Sequence, residues 1–301
     1  LFALSAYAEA CSHIPNVNVN GHYRYWVAPD DGTDKFWHDN ANWSCTSGGS
    51  GGAQAPNMNK RHAIFDSGSS VDAKLGQNVL KIMKLKLLNA YSGTLDLNGF
   101  KLPSKAGPLI AGGKVDVNGG YLQTWGWTYL QSGGEVDASA SGSRIHMGHN
   151  LTIKNGAKLT APDGDSSRFI VKGGFNILTG GLFYHNSGTV TMTTKWNSAI
   201  RNQDGPGLGR DFYNLHKTGP RYATLYGNDI EIKNDLTVIG NGGIIAQSFD
   251  IKVGGDWTLN TANNFNAGTG KVIFNGSSQT ISWPTSNSRK FKHLQISENS
   301  V

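Results

Sequence analysis

A ladder of short repeats constrains this chain more than any other feature. "SGTLDLNG" sets Leu95 after a glycine and before an aspartate, "GGKVDVNGG" does the same with Val115, and "GGEVDAS" with Val136. "NGAKLTAP" follows with Leu159 and "TGGLFYHN" with Leu182, at spacings of 20, 21, 23 and 23 residues. Units this short, each with a few alternating apolar residues and a Gly or Asn turn, cannot bury a core alone. Stacked, they can: every second side chain points inward, and the Gly and Asn positions turn the corners at positive φ. The ladder predicts an all-β fold, a parallel β-solenoid (a right-handed β-helix) with an N-terminal cap. Antiparallel β-sandwich or barrel repeats are the alternative, but a sandwich need not repeat at this period. A solenoid over 67–301 would hold about eleven coils and form a rod of ~50 Å at the usual strand spacing.

A longer period overlies the ladder. "VKGGFNILTGGLFYHNSGTV" (171–190) aligns with "KVGGDWTLNTANNFNAGTGKV" (252–272), and "DFYNLHK" recurs as "KFKHLQI", with Phe212 and Leu215 opposite Phe291 and Leu294. The step is about 80 residues, close to four short units. The chain divides into an N-terminal segment (1–22), a cap region (23–66) and a solenoid (67–301), with the longer repeat visible in 170–301.

Composition agrees. Glycine makes up 40 of 301 residues, about twice its usual share, while charged residues are only 16%. The net charge of +6 comes from 27 basic and 21 acidic residues, but the lysines are scattered and no run of five basic residues occurs. That pattern gives no reason to expect a nucleic-acid partner; lysines spread over strands solubilise a face and protect edges. The opening "LFALSAYAEAC" reads either as the tail of a signal peptide, with Ala8-Glu9-Ala10 in the A-x-A pattern, or as a packing strand. Both termini suggest a piece of a longer polypeptide. In an exported protein Cys11 and Cys45, the two cysteines, would form one disulfide. No apolar run approaches the ~20 residues of a membrane span. The expected location is extracellular or at the cell surface.

Candidate chemistry is sparse. Trp125, Trp127 and Tyr129 in "QTWGWTYLQ" alternate, with Leu122 and Leu130 on the opposite parity. The leucines should therefore face inward and the aromatic rings outward, as a platform on which a glycan could stack. His146 and His149 are three apart, a spacing that on a strand sends the rings to opposite faces and does not build a metal site. Asp30-Asp31-Gly32-Thr33-Asp34 and Asp163-Gly164-Asp165 are acidic turns without EF-hand spacing; no cofactor is expected, and Ca²⁺ is the one ion these turns could take. Coil stacking would align Asp96, Asp116 and Asp137, the nearest approach to a catalytic set. Turn-capping aspartates explain the same row, and no residue is assigned as catalytic.

"YRYWVAPDDGTDKFWHDNANWSCTSGGSGGAQAPNMNKRHAIFD" resembles the opening segment of repeat-containing exported bacterial surface proteins, notably those of Bacteroidota. The matching residues are Tyr25-Trp26-Val27, Trp37, Asn42-Trp43-Ser44, Ser47-Gly48-Gly49, Gly51-Gly52, Pro56 and Ile64-Phe65-Asp66. Gly270 to Ile296 is similar to the repeats that follow in such proteins, with Gln279, Ile281, Phe291 and Leu294. Lys60-Arg61-His62, where acidic residues are usual, and Cys45 directly after the Trp-Ser pair depart from the pattern. The resemblance implies export and a solenoid-like surface protein with no defined reaction. Beside the ladder, it makes Trp37 and Trp43 a plug over the open end of the core. The expected function is a non-catalytic extracellular structural or adhesive rod in a surface filament, sheath or adhesin. It would self-associate or join further domains of one long chain. The runner-up is a carbohydrate-binding or polysaccharide-degrading β-helix protein, a lyase or hydrolase.

Overall fold

A computed structural model describes residues 11, 22–261, 264–284 and 291–297. The segment 1–10, read above as a signal-peptide remnant or packing strand, lies outside the described residues. The chain forms a parallel β-solenoid of about ten turns, built from strands of two to five residues. Each turn visits three faces in a fixed order. On the ladder face the strands include Thr94–Asp96, Lys114–Asp116, Glu135–Asp137 and Lys158–Thr160. The chain then enters a nine-stranded face (Lys101–Ser104, Tyr121–Thr124, Arg144–Met147 and onward) and a twelve-stranded face (Leu109–Ile110, Thr128–Leu130, Leu151–Ile153 and onward).

The predicted ladder stacks in register. Leu95 lies on Val115, Val115 on Val136 and Val136 on Leu159, all fully buried. The fifth rung is corrected by one residue: Phe183, not Leu182, stacks on Leu159, while Leu182 pairs with Lys158 and points outward. With a side-chain period of two, that single step exchanges inside for outside. The Asn turns behave as expected: Asn98 and Asn118 take left-handed φ of 48° and 40°, each just after a ladder-face strand. Their short polar side chains make Asn the non-glycine residue that tolerates this region best.

After Ser198–Asn202 the loop 203–211 interrupts the ladder face, which resumes at Phe212, bridged to Ile232, and continues as a four-stranded sheet. The longer repeat is a likeness of local strand-and-turn pattern. Phe169–Val171 lies on the nine-stranded face, whereas its sequence counterpart Ile251–Val253 lies on the resumed ladder face. Four turns on from Val171 along the sheet stands Leu259.

The interior is one continuous apolar column with two aromatic thickenings. Phe169, Phe175, Phe183 and Phe212 pack edge-to-face or tilted, with centroids 4.9 to 6.2 Å apart. Further along, Trp257 contacts Phe265, Phe274 and Phe291. Each of these rings that is fully buried contributes roughly 1.5–3 kcal/mol; Phe291 is partly buried.

At the N-terminal end His22–Trp26 runs parallel to Arg61–Phe65 as a solenoid rung, and the two-residue strand Trp43–Ser44 closes the sheet edge antiparallel to it. A very short closing strand leaves few unpaired backbone groups at the edge. Trp26, Trp37 and Trp43 are fully buried around Phe65, which packs in turn on Tyr91. Their indole N–H groups donate to the carbonyls of Val71, Pro56 and Trp37 respectively. Cys11 and Cys45 form a disulfide, with Cα atoms 5.4 Å apart. Among the described residues no helix is long and apolar enough to cross a membrane.

Candidate functional site

The chain passes from the nine-stranded to the twelve-stranded face through tight bends, and along this corner aromatic rings gather. Trp125 and Trp127 flank Gly126 in one such bend, 42% and 52% exposed, while Leu122 and Leu130 are fully buried. The inside-outside assignment agrees with the alternation, but the three rings do not share one strand. Only Tyr129 lies on a strand, Thr128–Leu130; Trp125 and Trp127 occupy the bend before it. The reason is Gly126: a Cβ there would stand 2.4 Å from the Gly107 nitrogen, so the backbone presses on the previous coil and the corner falls between the two tryptophans.

Two further rings extend the strip. His149, in the next bend, lies 5.2 Å from Trp127. Trp196, 51% exposed, stacks on His149 at 4.8 Å with an interplanar angle of 19°. One coil lies between their bends, and at the corner it presents Gly173-Gly174. A side chain at Gly173 would meet the His149 and Asn150 backbone within 2.8 Å. Cations sit over the rings: Lys81 Nζ is 4.5 Å from the Trp125 ring and Lys154 Nζ 5.7 Å from that of Tyr129. Sequence reasoning found Trp125, Trp127 and Tyr129 and missed His149 and Trp196. The available signal was register, since 149, 173 and 196 follow the coil spacing.

The aspartate row forms as stacking required: Asp96 pairs in register with Asp116, and Asp116 with Asp137. Each has structural work. Asp96 accepts from the Asn98 N–H and the Asn118 amide, and Asp137 from the Ser139 N–H. Lys114 bridges Asp116 at 3.2 Å and Asp137 at 2.9 Å. Partial burial opposes the Asp137 charge, but the hydrogen bonds from Lys114 and Ser139 outweigh it and hold its pKa to about 2. A general acid needs a carboxyl displaced the other way. Asp96 and Asp116 also line an open acidic groove of about 560 Å³ beside the cap turn at Asp30–Lys35.

In that turn Asp31 is tied to Lys35 and to the Thr33 hydroxyl and N–H, which hold its pKa to about 2. Asp165 accepts from the Ser167 N–H and hydroxyl. His146 points outward, its Nδ1 3.1 Å from the Tyr121 hydroxyl; His149 lies in the bend beyond that strand and is also on the outside, so the two rings are not on opposite faces of one strand. Among the described residues no three His, Cys, Asp or Glu side chains come together so as to hold a metal ion. A second concavity of about 440 Å³ lies where the ladder face is interrupted, between Tyr184, His185, Leu208 and the Asp211–Lys233 ion pair.

The fold thus defines a parallel β-solenoid with an aromatic strip exposed along one corner. No family model, no curated protein and no solved structure matches the chain.

Proposed function

We propose that the chain is a non-catalytic structural and adhesive rod of an exported surface protein, similar in design to the repeat-containing bacterial surface proteins its opening segment resembles. The observation that carries this reading is the aromatic corner: half-exposed tryptophans held on a rigid stack of coils form an adhesive surface, and exposed indoles at this density are costly unless covered. The engagement of Asp96, Asp116 and Asp137 in turns and ion pairs supports a role without catalysis. The Cys11–Cys45 disulfide fits an oxidising, extracellular setting.

Electron microscopy of the native material, together with incubation on a panel of polysaccharides, tests the reading. Rods of ~50 Å joined into longer filaments or sheaths, with no sugar product released, are the expected result. Release of reducing or unsaturated sugar ends would overturn the non-catalytic assignment in favour of a polysaccharide-degrading β-helix.

A further inference from the structure

Between residues 101 and 227 the acidic residues of the rod are segregated by face. The six passages 101–110, 121–130, 144–153, 169–177, 189–202 and 214–227 each run from the nine-stranded face through the corner onto the twelve-stranded face. None of them contains an Asp or Glu. The carboxylates of this part of the chain lie on the ladder face and its flanking turns, where Lys114, Lys158, Arg210 and Lys233 pair with them. The corner keeps its cations. Lys105 and Lys195 are exposed and Lys172 half-buried, and among the described residues none of the three makes an ion pair with a carboxylate. His146, on the adjoining strand, reports the same field: burial lowers its pKa, and Lys172 and Lys101 lower it further.

Two patterns therefore coincide on one edge of the rod. A row of rings, Trp127, His149 and Trp196, has centroids 5.2 and 4.8 Å apart. On the same corner Lys105, Lys172 and Lys195 stand on the first, fourth and fifth of these successive coils, at a coil spacing of ~4.8 Å. We infer that this corner binds an anionic polysaccharide lying along the rod, with sugar rings against Trp127 and Trp196 and its carboxylates or sulfates against Lys105, Lys172 and Lys195. Indole faces take the C–H face of a pyranose, and the outward column next to them supplies hydroxyl partners: Thr152 and Asn176 stand in register between Tyr129 and Arg201. A neutral glycan would use the rings and leave the cations idle. Single-stranded nucleic acid would also use both, but the neighbouring Thr and Asn row suits a chain rich in hydroxyls.

The inference rests on the adhesive reading and names what the surface adheres to. Affinity electrophoresis of the oxidised chain in gels containing polygalacturonate, a neutral β-glucan or single-stranded DNA tests it. Retardation by polygalacturonate alone is expected, weakening as salt rises. The Trp127→Ala/Trp196→Ala double variant should bind about tenfold more weakly, and Lys172→Gln/Lys195→Gln should lose much of the salt dependence, both with unchanged thermal unfolding. Equal retardation by the neutral glucan, preference for DNA, no retardation by any polymer, or full binding by the tryptophan variant would each overturn the inference. Retention of the neutral glucan leaves the adhesive reading standing, whereas cleavage of a bound polymer removes the non-catalytic reading and leaves the ligand class intact.

Discussion

His149 and Trp196 are stacked at 4.8 Å although a whole coil separates their positions in the chain. The coil between them passes the corner with Gly173, whose backbone lies directly against that of His149 and Asn150. Replacing Gly173 with alanine would put a Cβ 2.7 Å from the Asn150 nitrogen. Backbone would have to shift, so Gly173→Ala should cost about 1–3 kcal/mol in urea unfolding. The near-UV circular dichroism of the tryptophans should change with it. Trp196→Ala, on the exposed side of the same contact, should stay within about 0.5 kcal/mol of the parent.

The cap is stapled to its N-terminal segment. The Cys11–Cys45 bond spans 34 residues, a loop for which the chain-entropy argument gives about 2–4 kcal/mol. Cys11→Ser/Cys45→Ser, or reduction of the parent, should lower unfolding stability by that amount. Fluorescence of Trp26, Trp37 and Trp43 should report the loosening first.

Lys217 is the misfit of the core. It occupies an inward position between Met192 and Val238, is fully buried, and donates to the Thr218 carbonyl. Burial lowers its pKa to about 8 from the ordinary 10.5. Between those values the unfolded chain keeps a proton that the folded chain has shed, so stability should rise with pH from about 8 to about 10.5. Lys217→Met should abolish that rise and stabilise the protein by about 1–3 kcal/mol at pH 7. Denaturant midpoints measured across the pH series decide it.

Asp137 also has a lowered pKa, but here the fold favours the charged form, and the window lies at acid pH. Its folded pKa of about 2 lies below the unfolded carboxylate value of about 3.9. Its contribution is therefore complete above pH 4 and is lost as the pH falls toward 2. The pair with Lys114 reaches solvent, so the effect should stay below about 1 kcal/mol. Thermal unfolding of Asp137→Asn against the parent should differ at pH 6 and converge at pH 2.

The periodicity was legible wherever one face of a strand meets the core. Leu95, Val115, Val136 and Leu159 could be placed on top of one another from spacing alone, and the aspartates one residue beyond them came along. The failures share a cause. Leu182 was assigned inward in place of Phe183 because both are apolar and only the neighbouring coil decides between them. Trp125 and Trp127 were placed on one strand with Tyr129 because a corner made by Gly126 leaves no mark in alternation. Lys217 has the parity of Leu215 and was passed over because a lysine is not expected inside.

By itself, then, the sequence determined the class of fold, the stacking period and the inward column, since these follow from alternation and turn residues that act within one coil. It also placed aromatic rings on the outside. What only the tertiary structure decided is which residues from different coils share a corner. Coil lengths vary by a few residues, and the register of the stacked strands shows that the turns absorb each difference, which the sequence does not locate. His149 and Trp196 could not be paired until every turn between them was placed. Lys105, Lys172 and Lys195 are brought to the corner, while Lys114 and Lys158 stay with the carboxylates of the ladder face, by the same winding.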